Sequence, residues 1–465
     1  MTTATPAARR RLPLVLRNRA FGTVWLGQVL TQAGVRMFQV GTSWWLIGYA
    51  VSGDGGLAAG LFMAVSTLPA VALAPLVARA IARTAHRSLL RTAAGGAGAA
   101  AAALACWAGV GDLPVAAAYA AALALATCQA FFDPCLTTSV PELVDDADIE
   151  AATGFELSTQ SLASLGGALL GALVVDEAGM AGLAVGCAVA YTSAALLIAT
   201  VRFRTPAGAL PGADGPEEAS PEEASPEEGG PEEDGADAAR APRRTLRQIL
   251  GAMPYVRAIL LCFTAANLFT TAVFVVIPLY TASVLRGDGG TVALLEASLG
   301  VGTLIGSVTG ARVPGRPTTV GSALLGAMAV ALAVPGLIAA RPVIAGALLV
   351  AGWCVGVIGV RFVALFQRLV PAADKPAFFA VMQAVLGSTF PVASLLFGML
   401  GDHLSAQTLC LIQAAGLVPA ALALALLPGP AHARTPDGSQ RTQPETETET
   451  EPRPEAETAA RGGAR

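Results

Sequence analysis

Gln28, Gln32, Arg36 and Gln39 recur at intervals of four and three residues inside an apolar run that ends in 44-WWLIGY-49. At about 100° per residue they fall within about 80° of one another around a helix. Three amides and a guanidinium on one stripe suit binding rather than bond-breaking, because they hold polar or anionic groups by hydrogen bonds and charge. A charged side chain at bilayer depth costs at least ~2.5 kcal/mol, so Arg36 must face protein or water rather than lipid. Two readings are open. Arg36 pairs structurally with a carboxylate or with helix-end carbonyls, or the stripe lines an aqueous cavity. Three glutamines exceed what one structural pair needs, which favours the cavity.

Similar polar residues mark other apolar runs: Gln129 and Asp133, then Asn267, Thr270 and Thr271, then Arg361, then Gln383. The candidate substrate cavity is therefore Gln28, Gln32, Arg36, Gln39, Gln129, Asn267, Thr271 and Arg361. Proton-driven work needs a carboxylate that changes charge near membrane depth, and the candidates are Asp133, Glu156 and Glu296. Asp133 can pair with Arg361 or Arg36, or can cap the helical turn ahead of Pro134. Glu156 and Glu296 stand near run ends, where they can also face water.

The sequence carries no paired carboxylates, His–Glu cluster, nucleotide-binding glycine loop or Ser–His constellation at depth, which argues against an enzyme and against a cofactor. His86, His403 and His432 are scattered over loops and tail, giving a metal site no support. The seven cysteines lack C-x-x-C spacing and read as small buried hydrophobes.

The elements that must carry these residues are long apolar helices. Of 465 residues, 54 % are hydrophobic and only 13 % charged, where a soluble domain has about 25 %. Eighteen of the 33 acids lie in 214–237 and 428–465, leaving a basic, apolar body that does not read as a nucleic-acid binder. Runs long enough to cross a bilayer centre on 21–49, 57–79, 89–110, 113–134, 157–175 and 178–201, then on 255–284, 290–313, 318–340, 342–367, 377–400 and 404–427. The predicted fold is an all-α membrane protein of twelve transmembrane helices in two six-helix bundles. Its domains are a basic segment 1–20, a bundle 21–201, a linker 202–252, a bundle 253–427 and a tail 428–465.

Basic residues in short loops set the orientation. One side holds Arg9, Arg10, Arg11, Arg17 and Arg19, then Arg79, Arg83, Arg87 and Arg91, and later Arg312, Arg316, Arg368 and Lys375; the other holds only Arg286 and Arg341. Both termini are expected in the cytoplasm, and the first apolar run is too long for a cleaved signal segment. Pro-Glu-Glu recurs at 216, 221, 226 and 231 without apolar anchors, so the linker and the tail with 445-ETETETE-451 read as disordered acidic segments. Ser298, Gly302, Gly306 and Gly310 form a small-residue stripe, as do Gly166, Gly167 and Gly171, and both read as helix-packing surfaces.

With these pieces in place, the chain resembles the major facilitator superfamily, and within it the macrolide- and siderophore-efflux-like branch of drug exporters. The likeness covers about 17–427 and rests on 25-WLGQ-28 with Gln32 and Gly34, 131-FFDP-134 followed by 140-VPELV-144, Asn267 with 278-PLY-280, and 367-QRLVP-371. It implies that the first, fourth, seventh and tenth helices line the substrate cavity and that the halves rock to alternate access. The sequence departs from that branch in three places. Val35 stands where an aspartate is usual; the loop 78-ARAIARTAHR-87 keeps Arg83 and Arg87 but has Ala78 and Ala82 for its glycine and aspartate; and Gly166-Gly167 stands where antiporters have Gly-Pro. A cytoplasmic gate is expected from Arg83 and Arg87 with the acidic loop around Asp145, a solvated loop being the alternative.

The function implied is secondary active export of amphipathic small molecules (drug, antibiotic or siderophore-like) across the cytoplasmic membrane, proton-coupled, by a monomer whose partners are its substrate and the lipid bilayer. An importer of the same superfamily and a non-transporting membrane sensor are the competing readings.

Overall fold

The computed structural model describes residues 14–144, 148–201, 203, 251, 253–371 and 374–427, less the side chains of some helical residues, Glu156 among them. Asp145, the tail and, apart from residues 203 and 251, the linker lie outside the described residues. Helices account for nearly all of the described chain: α1 (Leu14–Arg17), α2 (Arg19–Trp45), α3 (Gly55–Ala72), α4 (Ala74–Arg83), α5 (His86–Val110), α6 (Val115–Leu143) and α7 (Ile149–Thr200) in the first half. The second half contributes α8 (Pro254–Thr271), α9 (Val273–Tyr280), α10 (Gly289–Thr309), α11 (Pro317–Leu337), α12 (Arg341–Leu369), α13 (Lys375–His403) and α14 (Ala406–Leu426). The described helices up to Leu427 pack into one compact unit.

Local sequence explains the helix starts. Asn18 caps α2 by accepting from the Phe21 N–H at 3.1 Å, Asp288 caps α10 and Ser405 caps α14. Proline in the first turn begins α8, α11, α12 and α13, where its missing N–H removes a donor that would lack a partner anyway. The predicted run 57–79 is interrupted, because α3 ends at Ala72, three residues after Pro69, and the basic α4 starts anew at Ala74.

Ten stretches of the described residues are long and apolar enough to cross a membrane. α2 is not one of them despite its 27 residues, since its glutamine–arginine stripe dilutes its apolar character. The predicted runs 157–175 and 178–201 fall within the single element α7, whose backbone leaves helical geometry at Gly179, at φ 66°. α2 reads out the direction of each arm. Gly167 and Gly171 approach Ala33 and Met37 in rising order, whereas Leu183, Tyr191 and Ile198 approach Gly41, Gly34 and Gly27 in falling order. The arms therefore run in opposite directions, and glycine supplies the left-handed turn that reverses them.

Leu261, Val330, Leu396 and Leu422 are exposed on helix surfaces, as a bilayer as solvent requires. Inside, small residues set the spacing. A methyl at Gly302 would fall 2.0 Å from the Leu349 carbonyl oxygen, and one at Gly356 would fall 2.2 Å from the Thr303 carbonyl oxygen. α10 and α12 thus meet backbone to backbone, with Gly306 and Gly310 continuing the seam. In the other stripe Gly171 packs on α2, but Gly166 has open space beyond it and Gly167 makes the close approach.

Candidate functional site

Arg36 and Gln39 of the α2 stripe line two different cavities. One, of about 400 Å³, is lined by Arg36 with Asn267, Thr270, Thr271 and Phe274 from α8 and α9, and with Glu296 and Thr303 from α10. The other, of about 380 Å³, is lined by Val35, Phe38 and Gln39 with Gln129 and Asp133 from α6 and Phe390 from α13. Phe274 of the first and Phe390 of the second pack together at 5.9 Å between ring centroids.

In the first cavity Arg36 donates from Nη1 to Gln39 Oε1 at 3.1 Å, and its guanidinium carbon lies 4.9 Å from the Phe274 ring centroid. Its Nε is buried without a hydrogen-bond partner. Glu296, 5 % exposed, has a buried Oε1 that is likewise unpartnered. The two ion pairs among the described residues are Arg17–Asp148 and His86–Glu142, so Arg36 and Glu296 share a cavity without closing on each other. Asn267 donates to Thr389 Oγ1 at 2.6 Å and to the Leu386 carbonyl at 3.1 Å, and Thr271 is turned back onto the Asn267 carbonyl at 2.8 Å. These polar atoms are held in place by their neighbours.

In the second cavity two amides converge on one carboxylate oxygen. Gln32 Nε2 and Gln129 Nε2 donate to Asp133 Oδ1 at 2.8 and 2.5 Å. Asp133 therefore meets amides, and neither Arg36 nor Arg361 is its hydrogen-bond donor in these contacts. Its backbone lies inside α6, which continues past Pro134 to Leu143, so no helix start exists there for it to cap.

Other predicted residues sit elsewhere. Gln28 is 2 % exposed, lines neither cavity and leaves its Nε2 unpartnered. Arg361 also lines neither cavity; its Nη1 and Nη2 reach the Val313 and Gly315 carbonyls at 2.6 Å each, tying α12 to the turn before α11. The long side chain carries its charge away from the middle of the helix to backbone oxygens at the helix ends. Arg83 is exposed, and Arg87 donates to the Ala199 carbonyl. The acidic loop is met instead by His86, whose Nδ1 lies 2.5 Å from Glu142 Oε1, and by Arg17, which pairs with Asp148. Both contacts lie within the first half of the chain.

Two acids that the sequence did not single out join the halves. Asp402, at the end of α13, accepts from the backbone N–H groups of Gly56 and Leu57 at the start of α3. Asp176, in the first arm of α7, accepts from the Gly289 N–H at the start of α10, and also from Trp44 Nε1 and the Tyr49 hydroxyl at 2.6 and 2.8 Å. Acids near span ends look solvated in sequence, and only packing shows which of them reach another helix. Next to this contact, hydrogen bonds from the Thr291 side chain and backbone hold the Asp288 carboxyl below its usual range.

Among the described residues no group of His, Cys, Asp and Glu side chains is arranged to hold a metal. A family model described as Major Facilitator Superfamily matches residues 24–359. No curated protein matches the chain by sequence. Among solved structures, a bacterial homolog of the human lysosomal transporter Spinster, in an inward-facing and occupied conformation, is 12 % identical, with 88 % of this chain and 96 % of that one covered at a TM-score of 0.66. A D-xylose–proton symporter is 13 % identical over 87 % and 96 % of the two chains, also at 0.66. A bacterial homologue of the iron transporter ferroportin is 14 % identical over 88 % and 98 %, at 0.62. Identities this low carry the fold and leave the cargo open. A family model spanning most of the helical body, on a fold shared with these transporters, gives the identification: the chain belongs to the Major Facilitator Superfamily.

Proposed function

We infer that the protein is a secondary active transporter that exports amphipathic small molecules across the cytoplasmic membrane by alternating access, as a monomer with both termini inside. Splitting α7 at Gly179 and adding α2 to the ten apolar stretches gives twelve crossings in two halves of six. The single observation that carries the reading is the polar cavity set within the apolar body, with Arg36 and Glu296 on its wall and side chains from both halves of the chain around it. Such a place has a use in moving a molecule and none in merely packing helices, because unpaired buried charge is costly. The Asp176 and Asp402 contacts form the closed outer gate, at the helix ends the loop charges put outside. Proton coupling is assigned to Asp133, clasped by two amides in the neighbouring cavity. Glu296 is the second candidate. Glu156, whose side chain lies outside the described residues, rests on sequence alone.

The experiment is uptake of a panel of hydrophobic and amphipathic compounds into inverted vesicles energised by a proton gradient, with the parent chain and Arg36→Ala. Export predicts gradient-dependent accumulation that falls at least tenfold in the variant. Accumulation only in right-side-out vesicles would make the protein an importer. Accumulation in neither would leave the sensor reading.

A further inference from the structure

The Arg36 guanidinium and the Glu296 carboxyl line one cavity, and no ion pair among the described residues closes between them. Glu296 is 5 % exposed with Oε1 unpartnered, Arg36 has its Nε unpartnered, and no ion pair joins them. Arg36 Nη1 donates to the Gln39 amide oxygen at 3.1 Å, while the Phe274 ring shields one side of the guanidinium at 4.9 Å. The remaining polar side chains on this wall, Asn267, Thr270, Thr271 and Thr303, each donate to a protein partner. What the cavity lacks is therefore one acceptor for a guanidinium and one donor for a carboxylate.

Net charge narrows the choice. One guanidinium and one carboxylate sum to zero, so a ligand with a single charge satisfies one and leaves the other desolvated and bare. A ligand carrying both an anionic group and a protonated amine completes both contacts and leaves no net charge in a low-dielectric pocket. The geometry points to a zwitterionic cargo, its carboxylate or phosphate on Arg36 and its ammonium on Glu296, with an apolar or aromatic body. A cavity of about 400 Å³ is within the usual size range for small organic ligands. This assignment rests on the transport reading for its meaning but not for its test.

The test is binding to the full chain in nanodiscs, read by fluorescence with three probes on one apolar body. These are ε-dansyl-lysine, a zwitterion; its methyl ester, a cation; and its Nα-acetyl derivative, an anion. The zwitterion is expected to bind at least tenfold tighter than either derivative. Arg36→Gln should erase its advantage over the ester, and Glu296→Gln its advantage over the acetyl compound. Equal affinities for all three, tighter binding of the ester or the anion, or no binding of any would overturn the assignment. The comparison is complete in the parent protein, so it stands even if a variant fails to fold. Zwitterion binding without vesicle accumulation would sink the transport reading alone, and accumulation of other compounds without zwitterion preference would sink this one alone.

Discussion

Asp402 accepts a hydrogen bond from the backbone N–H of Gly56 at 2.8 Å, joining α13 of the second half to the first turn of α3 in the first. The Leu57 N–H adds a second at 2.9 Å. Asp176 repeats the construction with the halves exchanged, its carboxylate on the Gly289 N–H at the start of α10. Each acid meets the positive end of a helix whose first N–H groups have no partner within their own helix. On the transport reading proposed above, these two clasps between the halves form the outer gate, and two carboxylates set its strength.

The clasps can be released one at a time. Charge-assisted hydrogen bonds contribute about 1.5–3 kcal/mol, so Asp402→Ala or Asp176→Ala should raise the outward-open population roughly tenfold or more. The double variant should exceed either. Distances between spin labels flanking the clasped helix ends would lengthen in a growing fraction of molecules. Unchanged distance distributions in the double variant would show that the contacts do not set the gate.

Glycine neighbours give a sharper contrast. A methyl at Gly167 would fall 2.4 Å from the Ala33 carbonyl oxygen, while one at Gly166 meets nothing within 4 Å. Gly167→Ala should cost about 1–3 kcal/mol through overpacking, with a lower Tm. Gly166→Ala should be neutral or slightly stabilising, since it reduces the freedom of the unfolded chain. Equal Tm shifts for the two would argue against the α2–α7 packing described.

The residues themselves show why some of this was legible in sequence and some was not. The α2 stripe was readable because helical periodicity places Arg36 and Gln39 on one face whatever surrounds them, and the small-residue seam of α10 was readable for the same reason. Glu296 gave no such signal. A lone acid eight residues into a helix has the same sequence whether it faces water or a cavity, and burial comes from helices far away in the chain. Arg361 lies within α12, but its reach to Val313 and Gly315 depends on a turn 46 to 48 residues earlier. The paired role of Asp402 required knowing that α13 ends against α3, a contact that no local pattern encodes.

Arg361 yields its own test. Its two 2.6 Å hydrogen bonds to carbonyls fix the turn before α11, and it stands clear of both cavities. Arg361→Ala should lower the melting temperature, by an amount equivalent to roughly 1.5–3 kcal/mol per charge-assisted bond removed. Ligand affinity should stay within about twofold. A tenfold loss of affinity at unchanged Tm would return this side chain to the binding site.

Asp133 decides whether the proposed proton carrier is a carrier or a strut. Gln32 and Gln129 both donate to its Oδ1, and Asp133→Asn keeps an oxygen for them while removing the group that can gain and lose a proton. If the carboxylate moves protons, the variant should lose gradient-driven accumulation by two orders of magnitude or more, yet retain substrate exchange across the membrane. That exchange needs only the rocking step. If the carboxylate only braces α2 against α6, both modes should fall together with Tm, and Gln32→Ala should reproduce the defect. The measurement is paired: uphill accumulation and equimolar exchange in the same proteoliposomes. Uphill transport that survives Asp133→Asn would move the coupling role to another acid, Glu296 first.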